Sequence, residues 1–285
     1  MIRDYPAATR DLTVIQARVP KRRALRPSVF WAIRDEPPRT LAIVLPLATT
    51  AVLFAAWGAM TGWAHVPSIF LPAPASVWKA FLALLSDGYA ADIWASFSRV
   101  MLGFLLATAL SVPVGLLMGS FCTMDALLVP LVGTLRYVPI TALVPLLILW
   151  LGIDEAPKIA IISLSVFFFN VIMITDAVRN VPRDFINVSY TLGAGRLDVL
   201  LRVILPGAMP QIVDALRVNI ASAWNFLFVA ELVAADSGMG YRMQQAQRTA
   251  ASDQMFVGLI VVAIIGFFLD RAFRIAKRVA LPWAC

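Results

Sequence analysis

Charge is scarce in this chain: only 14% of its 285 residues are Asp, Glu, Lys or Arg, against about a quarter in a soluble domain. Histidine is scarcer still, with His65 alone, and the cysteines are Cys122 and Cys285. Each shortage excludes a chemistry. A Ser-His-Asp triad needs a histidine base, and His65 lies in a proline-rich stretch where it reads as a solvated loop residue. Metal sites need clustered His, Cys or carboxylate side chains, and the sequence has no such cluster. Cysteines this far apart make neither a redox motif nor a disulfide framework. None of the four lysines (Lys21, Lys79, Lys158 and Lys277) follows a glycine, so the GxxxxGK[ST] loop that cradles nucleotide phosphates is missing. The chain has little with which to act as an enzyme by itself.

What is present is apolar. Hydrophobic residues make up 60% of the chain and mean hydropathy is +0.82, more apolar surface than one water-soluble core could hide. A bilayer span needs about 20 mostly apolar residues. The runs 41–63, 95–121, 125–151, 156–178 and 255–273 qualify; a sixth, 209–235, is long enough but carries Asp214, Arg217 and Glu231. The first run starts only at Leu41, which predicts a retained span rather than a cleaved signal peptide. The expected fold is therefore an all-α membrane protein with six transmembrane helices. Its parts are a basic arm (1–40), a membrane domain (41–275) and a short tail (276–285).

The net charge of +7 is distributed as the positive-inside rule requires. Residues 1–40 hold nine Lys or Arg against four acids. The tail carries Arg271, Arg274, Lys277 and Arg278, and the segment after the fourth span carries Arg179, Arg183, Arg196 and Arg202. All three segments fall on one side of a six-span chain, which predicts cytoplasmic N- and C-termini. Asp154 and Glu155 fall on the opposite side. The basic arm reads as a solvated juxtamembrane tail, not a nucleic-acid-binding arm.

Two connections stand out. Residues 64–94 open with prolines and continue with Val77, Phe81, Leu84 and Leu85 at helical spacing, which predicts a short helix at the membrane surface. Residues 179–208 form the one long cytoplasmic connection, apolar and punctuated by Gly193, Gly195, Pro206, Gly207 and Pro210. Phe185, Ile186, Leu192 and Leu197 give it an apolar face that suits docking against a partner or packing on the chain's own spans. Gly193 and Gly195 permit close backbone approach or positive φ between short helical pieces.

Within this connection, Asn187-Val188-Ser189, then Gly193 after three residues, then Val203-Ile204-Leu205-Pro206 after nine more, resemble the EAA signature of ABC importer permeases. The glycine and the Leu-Pro match, whereas Asn187, Val188 and Ser189 replace Glu-Ala-Ala. Further segments resemble the nitrate/sulfonate/taurine/bicarbonate group of that family. They are Phe70 to Pro74, Arg136 to Pro139, Ala142 to Leu146, Leu149 to Gly152, Thr191 to Arg196, Leu205 to Pro210, and Leu216-Arg217 with Trp224, Glu231 and Gly238 to Tyr241. The resemblance covers about residues 67 to 275. It implies the type I ABC importer permease fold and a multi-pass location in a bacterial inner membrane. It implies a homodimer with two ATPase subunits below, which use ATP and Mg, and a periplasmic substrate-binding protein above. This chain itself would bind no cofactor. Asn187, Ser189, Leu192, Gly193, Ala194, Arg196, Leu197, Leu205 and Pro206 become the expected ATPase-coupling residues.

Intramembrane polar residues are the other candidates, because a charge in lipid is costly and by default suggests function. They are Arg136, Asp214, Arg217, Trp224, Asn225 and Glu231. Asp214 and Arg217 are three apart on one helix face, where a mutual ion pair and a gate are both consistent readings. Glu231 is about 21 Å further along a helix than Arg217, so Arg99 and Arg136 are its candidate partners. Arg136 suits an anion pathway, or ordinary snorkelling. The pairs Gly58/Gly62 and Gly115/Gly119 each permit close helix approach. A secondary transporter is the competing class, but no internal repeat relates residues 41–150 to 151–275. A membrane-embedded enzyme competes only weakly, for want of a catalytic constellation.

Overall fold

The computed structural model describes residues 38–63 and 66–284. The basic arm up to Pro37, His65 and Cys285 lie outside the described residues. The chain divides into two units, residues 1–56 and 57–285. The described part of the first is the beginning of α1 (Arg39–Gly62). Pro46 sits inside that helix, and the Thr49 and Thr50 hydroxyls donate to the carbonyls of Leu45 and Pro46. Such back-bonding satisfies polar groups within the helix itself, as a lipid environment demands.

The second unit continues with α2 (Pro74–Ser86), α3 (Tyr89–Ser120), α4 (Cys122–Leu135), α5 (Ile140–Leu151) and α6 (Glu155–Arg179). It closes with α7 (Arg183–Thr191), α8 (Arg196–Val199), α9 (Leu205–Ala234), α10 (Met239–Arg248) and α11 (Ser252–Ala280). Among the described residues five helices are long and apolar enough to cross a membrane, or six if α4 and α5 count as one broken span.

α3, α6 and α9 form the packed centre. Gly103, Ala107, Ser111, Gly115 and Gly119 recur every fourth residue along α3, a stripe of small residues that lets another backbone approach. An added Cβ at Gly103, Gly115 or Gly119 would come within 2.8, 2.7 and 2.5 Å of Ile162, Ile174 and Val178 on α6. The second glycine pair of the sequence thus packs; the first does not, because a Cβ at Gly58 or Gly62 meets nothing within 4 Å. One apolar core around Val100, Phe104, Val166, Trp224 and Leu227 joins these helices to α2, α10 and α11. Another, around Ile174, Val178, Ile204 and Ile212, lies toward the α7 end.

Three sequence expectations need correction. The run 125–151 is not one continuous helix: α4 and α5 meet at 95°. The last turn of α4 tightens, with Tyr137 and Val138 N–H donating to the carbonyls of Thr134 and Leu135. Pro139 then offers no N–H and disfavours helical backbone at Val138. Secondly, the short helical pieces expected in the connection 179–208 are there but run on into the next span. The connection holds α7, α8 and a π turn at Leu200–Ile204 that leads directly into α9, so the apolar span runs from Arg196 to Leu232 rather than 209–235. The wide turn immediately precedes Pro206, which cannot supply the N–H that a regular turn would require there. Thirdly, Asp214 and Arg217 do not pair with each other. Lys277 Nζ bonds Asp214 at 2.5 Å and Arg217 Nε bonds Asp270 at 2.5 Å, so both α9 residues face α11.

Candidate functional site

Two places concentrate polar or exposed groups that a lipid-embedded bundle would otherwise avoid. The first is the α7–α8 elbow. α7 ends at Leu192, where Gly193 N–H donates to Tyr190 O and Ala194 N–H to Ser189 O, each at 3.0 Å. This pattern requires a left-handed residue, and Gly193 has φ +83° with open space around it. Its conformation is therefore the positive-φ alternative, not close backbone approach. The Ser189 hydroxyl donates to Phe185 O at 2.7 Å, so it is used within the helix.

None of the α7 side chains is buried. Leu192 is 82% exposed, Leu197 71% and Phe185 61%, and Asn187, Gly193 and Arg196 are exposed as well. Ile186 and Ala194 turn the other way, onto the core at Val199 and Ile204, with Leu205 part-buried beside them and Pro206 also part-buried. The elbow is thus anchored by one side and offers an uncovered apolar face on the other.

The second place is an ionic network at the opposite end of α9. Glu231 is fully buried. Its Oε1 accepts from Ser96 Oγ and from Arg99 Nη1, both at 2.7 Å, and its Oε2 accepts from Gly240 N–H at 2.7 Å. Arg99, also buried, grips Glu155 with two bonds of 2.5 and 2.7 Å, and donates to Ser237 O at 2.8 Å. Lys158 completes the cluster on Glu155 at 2.9 Å. Every strong donor and acceptor is matched, as burial requires. Next to it Gly238 N–H donates to Asp92 and Met239 N–H to Ser96, which pins the α9–α10 connection onto α3. Arg242 on α10 bonds Asp92 and Asp87, each at 2.7 Å. Those bonds, Asp92 first, hold its guanidinium above the usual arginine range.

Of the intramembrane candidates, Glu231 takes Arg99 and not Arg136. Arg136 instead donates to the Tyr137 hydroxyl at 2.8 Å. Trp224 is buried near Phe97, with its Nε1 unpartnered among the described residues; Asn225 is exposed. Sequence reasoning missed Glu155 and the Asp92–Arg242 pair. The signal was available: Asp92, Ser96 and Arg99 share one face of an otherwise apolar helix. It missed Asn170 as well, which accepts a 2.7 Å bond from Asn219 between α6 and α9.

Comparison with known proteins agrees with this architecture. A family model described as binding-protein-dependent transport system inner membrane component matches residues 111–279. A probable ABC transporter permease protein of Brucella melitensis is 39% identical over 246 residues, covering 86% of this chain and 99% of the relative. The taurine transport system permease protein of Escherichia coli is 35% identical over 252 residues, covering 86% and 92%. Among solved structures, a chain from the inward-facing MetNI methionine ABC transporter shares the fold. It has a TM-score of 0.58 at 20% identity, covering 66% of this chain and 96% of that one. The chain belongs to the family of inner membrane components of binding-protein-dependent transport systems, the permeases of ABC transporters.

Proposed function

We propose that the protein imports a small anion, of the nitrate, sulfonate, taurine or bicarbonate kind, by alternating access. Relatives named for taurine, aliphatic sulfonate and nitrate transport support that substrate range. In this reading six spans, with α4–α5 as one, place both termini in the cytoplasm, with the arm 1–40 and the tail 276–285 on that side. Two copies form the pathway and two ATPase subunits bind the α7–α8 elbows. A periplasmic binding protein delivers the solute to the other face. The chain itself performs no catalysis and binds no cofactor; ATP and Mg belong to the ATPases.

The observation that carries the reading is the elbow: an amphipathic helix anchored by Ile186 and Ala194, with Phe185, Val188, Leu192 and Leu197 uncovered. An apolar face of this kind is stabilised by a partner's cleft. ATP-driven closure of the two ATPases then draws the elbows together, since an effector shifts a conformational equilibrium only through contacts that differ between its states.

The test is a distance measurement. Spin labels at Leu197 in the two permease copies should move closer when ATP binds and hydrolysis is blocked, and loaded binding protein should accelerate hydrolysis. An unchanged label distance in a transporting complex sinks the coupling role of the elbow.

A further inference from the structure

Asn225 is exposed on α9, about 10 Å short of the end of the span at Leu232. An amide that faces outward at this depth needs an explanation, because lipid offers it no hydrogen-bond partner. Its surroundings on the helix are of the same kind. Gln211, Asp214, Val218, Ala221, Ser222 and Asn225 share a sector of about 100° and run along α9 for about 21 Å. Gln211, Val218 and Ala221 are exposed like Asn225, and Asp214 and Ser222 are part-buried. Other spans turn a different surface outward: Leu105, Leu106 and Leu110 on α3, and Ile264, Phe267 and Phe268 on α11. Those side chains are bulky and apolar, and suit acyl chains.

Hydrogen bonding divides the stripe in two. Toward the elbow, Gln211 accepts from Asn180 at 3.0 Å and Asp214 from Lys277 at 2.5 Å. Farther along, the Ser222 hydroxyl and the Asn225 amide make no hydrogen bond among the described residues. Helical hydroxyls elsewhere in the chain turn back onto the preceding turn, as Thr50 does to Pro46 O and Thr175 to Val171 O. Ser222 does not. Against acyl chains both groups would forfeit the bonds that water gives them, with nothing in exchange. A polar strip on an otherwise apolar span is stable where water runs beside it.

We infer that this stripe of α9 lines the aqueous path of the solute, and that Ser222 and Asn225 are the side chains that touch the solute on its way. The inference rests on the import reading and gives the path a wall. Ser222 and Asn225 are three residues apart on one face, and both donate to an oxyanion as water leaves it. Neither is charged, so they bind the ion without detaining it, as conduction requires. Closer to the elbow the Asp214 carboxylate is neutralised by Lys277, which keeps that part of the stripe from repelling an anion.

The test is labelling by an impermeant, anionic methanethiosulfonate in a Cys122→Ser, Cys285→Ser background. It is done on the permease–ATPase complex in nanodiscs, where both faces are open to the reagent. Only a hydrated thiol reacts readily, because the thiolate is the nucleophile. Ser222→Cys and Asn225→Cys should label about tenfold faster or more than Leu106→Cys and Leu110→Cys. Rates no faster than those of the α3 positions put the stripe against lipid or a dry partner surface and overturn the inference. Contact with the solute is read by ATP-driven uptake in proteoliposomes with the binding protein present. Asn225→Leu should lower uptake about tenfold, through loss of a hydrogen bond to a charged group, and Asn225→Gln should keep most of it. Co-purification with the ATPase reports that each variant is folded. Wild-type uptake by Asn225→Leu overturns the contact, and so does a loss in Asn225→Gln as deep as that in Asn225→Leu. The import reading fails separately, if wild-type proteoliposomes take up none of the anions; the labelling rates decide the water path in either case.

Discussion

Gly193 and Gly238 share left-handed backbone, φ +83° and +115°, and differ in everything around it. A Cβ on Gly193 meets nothing within 4 Å, whereas one on Gly238 would strike the Glu231 carboxylate and the Arg99 guanidinium. Gly193→Ala should therefore cost only backbone strain, about 1–2 kcal/mol. Gly193→Val, β-branched at the same φ, should leave membrane insertion intact yet abolish transport and weaken co-purification with the ATPase. Wild-type uptake by a well-inserted Gly193→Val variant removes the elbow from coupling. Gly238→Ala adds overpacking of about 1–3 kcal/mol to the strain and should lower the melting temperature in detergent well below that of Gly193→Ala. Arg99→Ala should destabilise by about 3–5 kcal/mol, because it leaves Glu231 buried without its cation. Arg217→Ala, whose partner Asp270 is 35% exposed, should cost about 1 kcal/mol or less. Equal melting temperatures for the two arginine variants would show that the network is not the keystone its burial indicates.

At the scale of elements, sequence pattern reported what a helix permits and not which neighbour uses it. The two GxxxG pairs are indistinguishable as text, yet Gly115 and Gly119 seat Ile174 and Val178 while Gly58 and Gly62 face open space. Gly119→Ile should accordingly unfold or misassemble the bundle, and Gly58→Ile should be tolerated; comparable yields of monodisperse protein for both contradict the assigned packing. The spans were legible because apolar length is a one-dimensional property. The 95° turn at Arg136–Pro139 was not, since hydropathy carries no direction, although Pro139 marked the place. Glu231 with Arg99 was within reach by elimination, because a buried acid needs a cation and few were available. Asp214 and Arg217 misled for the opposite reason. Spacing on one helix shows that two charges can meet, and here α11 supplies Lys277 and Asp270, which hold both α9 charges instead.

For the whole molecule the governing question is which end faces the cytoplasm. In the proposed orientation, positive charge near Arg179, Arg183 and Arg196 puts the elbow inside and the Glu231 network outside. In a background of Cys122→Ser and Cys285→Ser, a cysteine at the exposed Ser86 should react with an impermeant maleimide in outer-permeabilised cells, and one at Asn187 should not. Labelling at Asn187 and not at Ser86 inverts the orientation, and with it the direction assigned to transport.

The continuity of the stretch from Arg196 to Leu232 has a mechanical meaning. By rise per residue it measures about 55 Å, and the ionic network at Glu231 clamps its far end to α3 and α6. α3 and α6 are themselves locked along the glycine stripe. A push on the elbow enters through the π turn at Leu200–Ile204, and beyond that joint the three helices answer it as one lever. Rotation of such a lever by about 5° about one end carries the other by about 5 Å, within the range of packed-helix switching motions. A bundle this stiff converts a small displacement at one membrane surface into a comparable opening at the other.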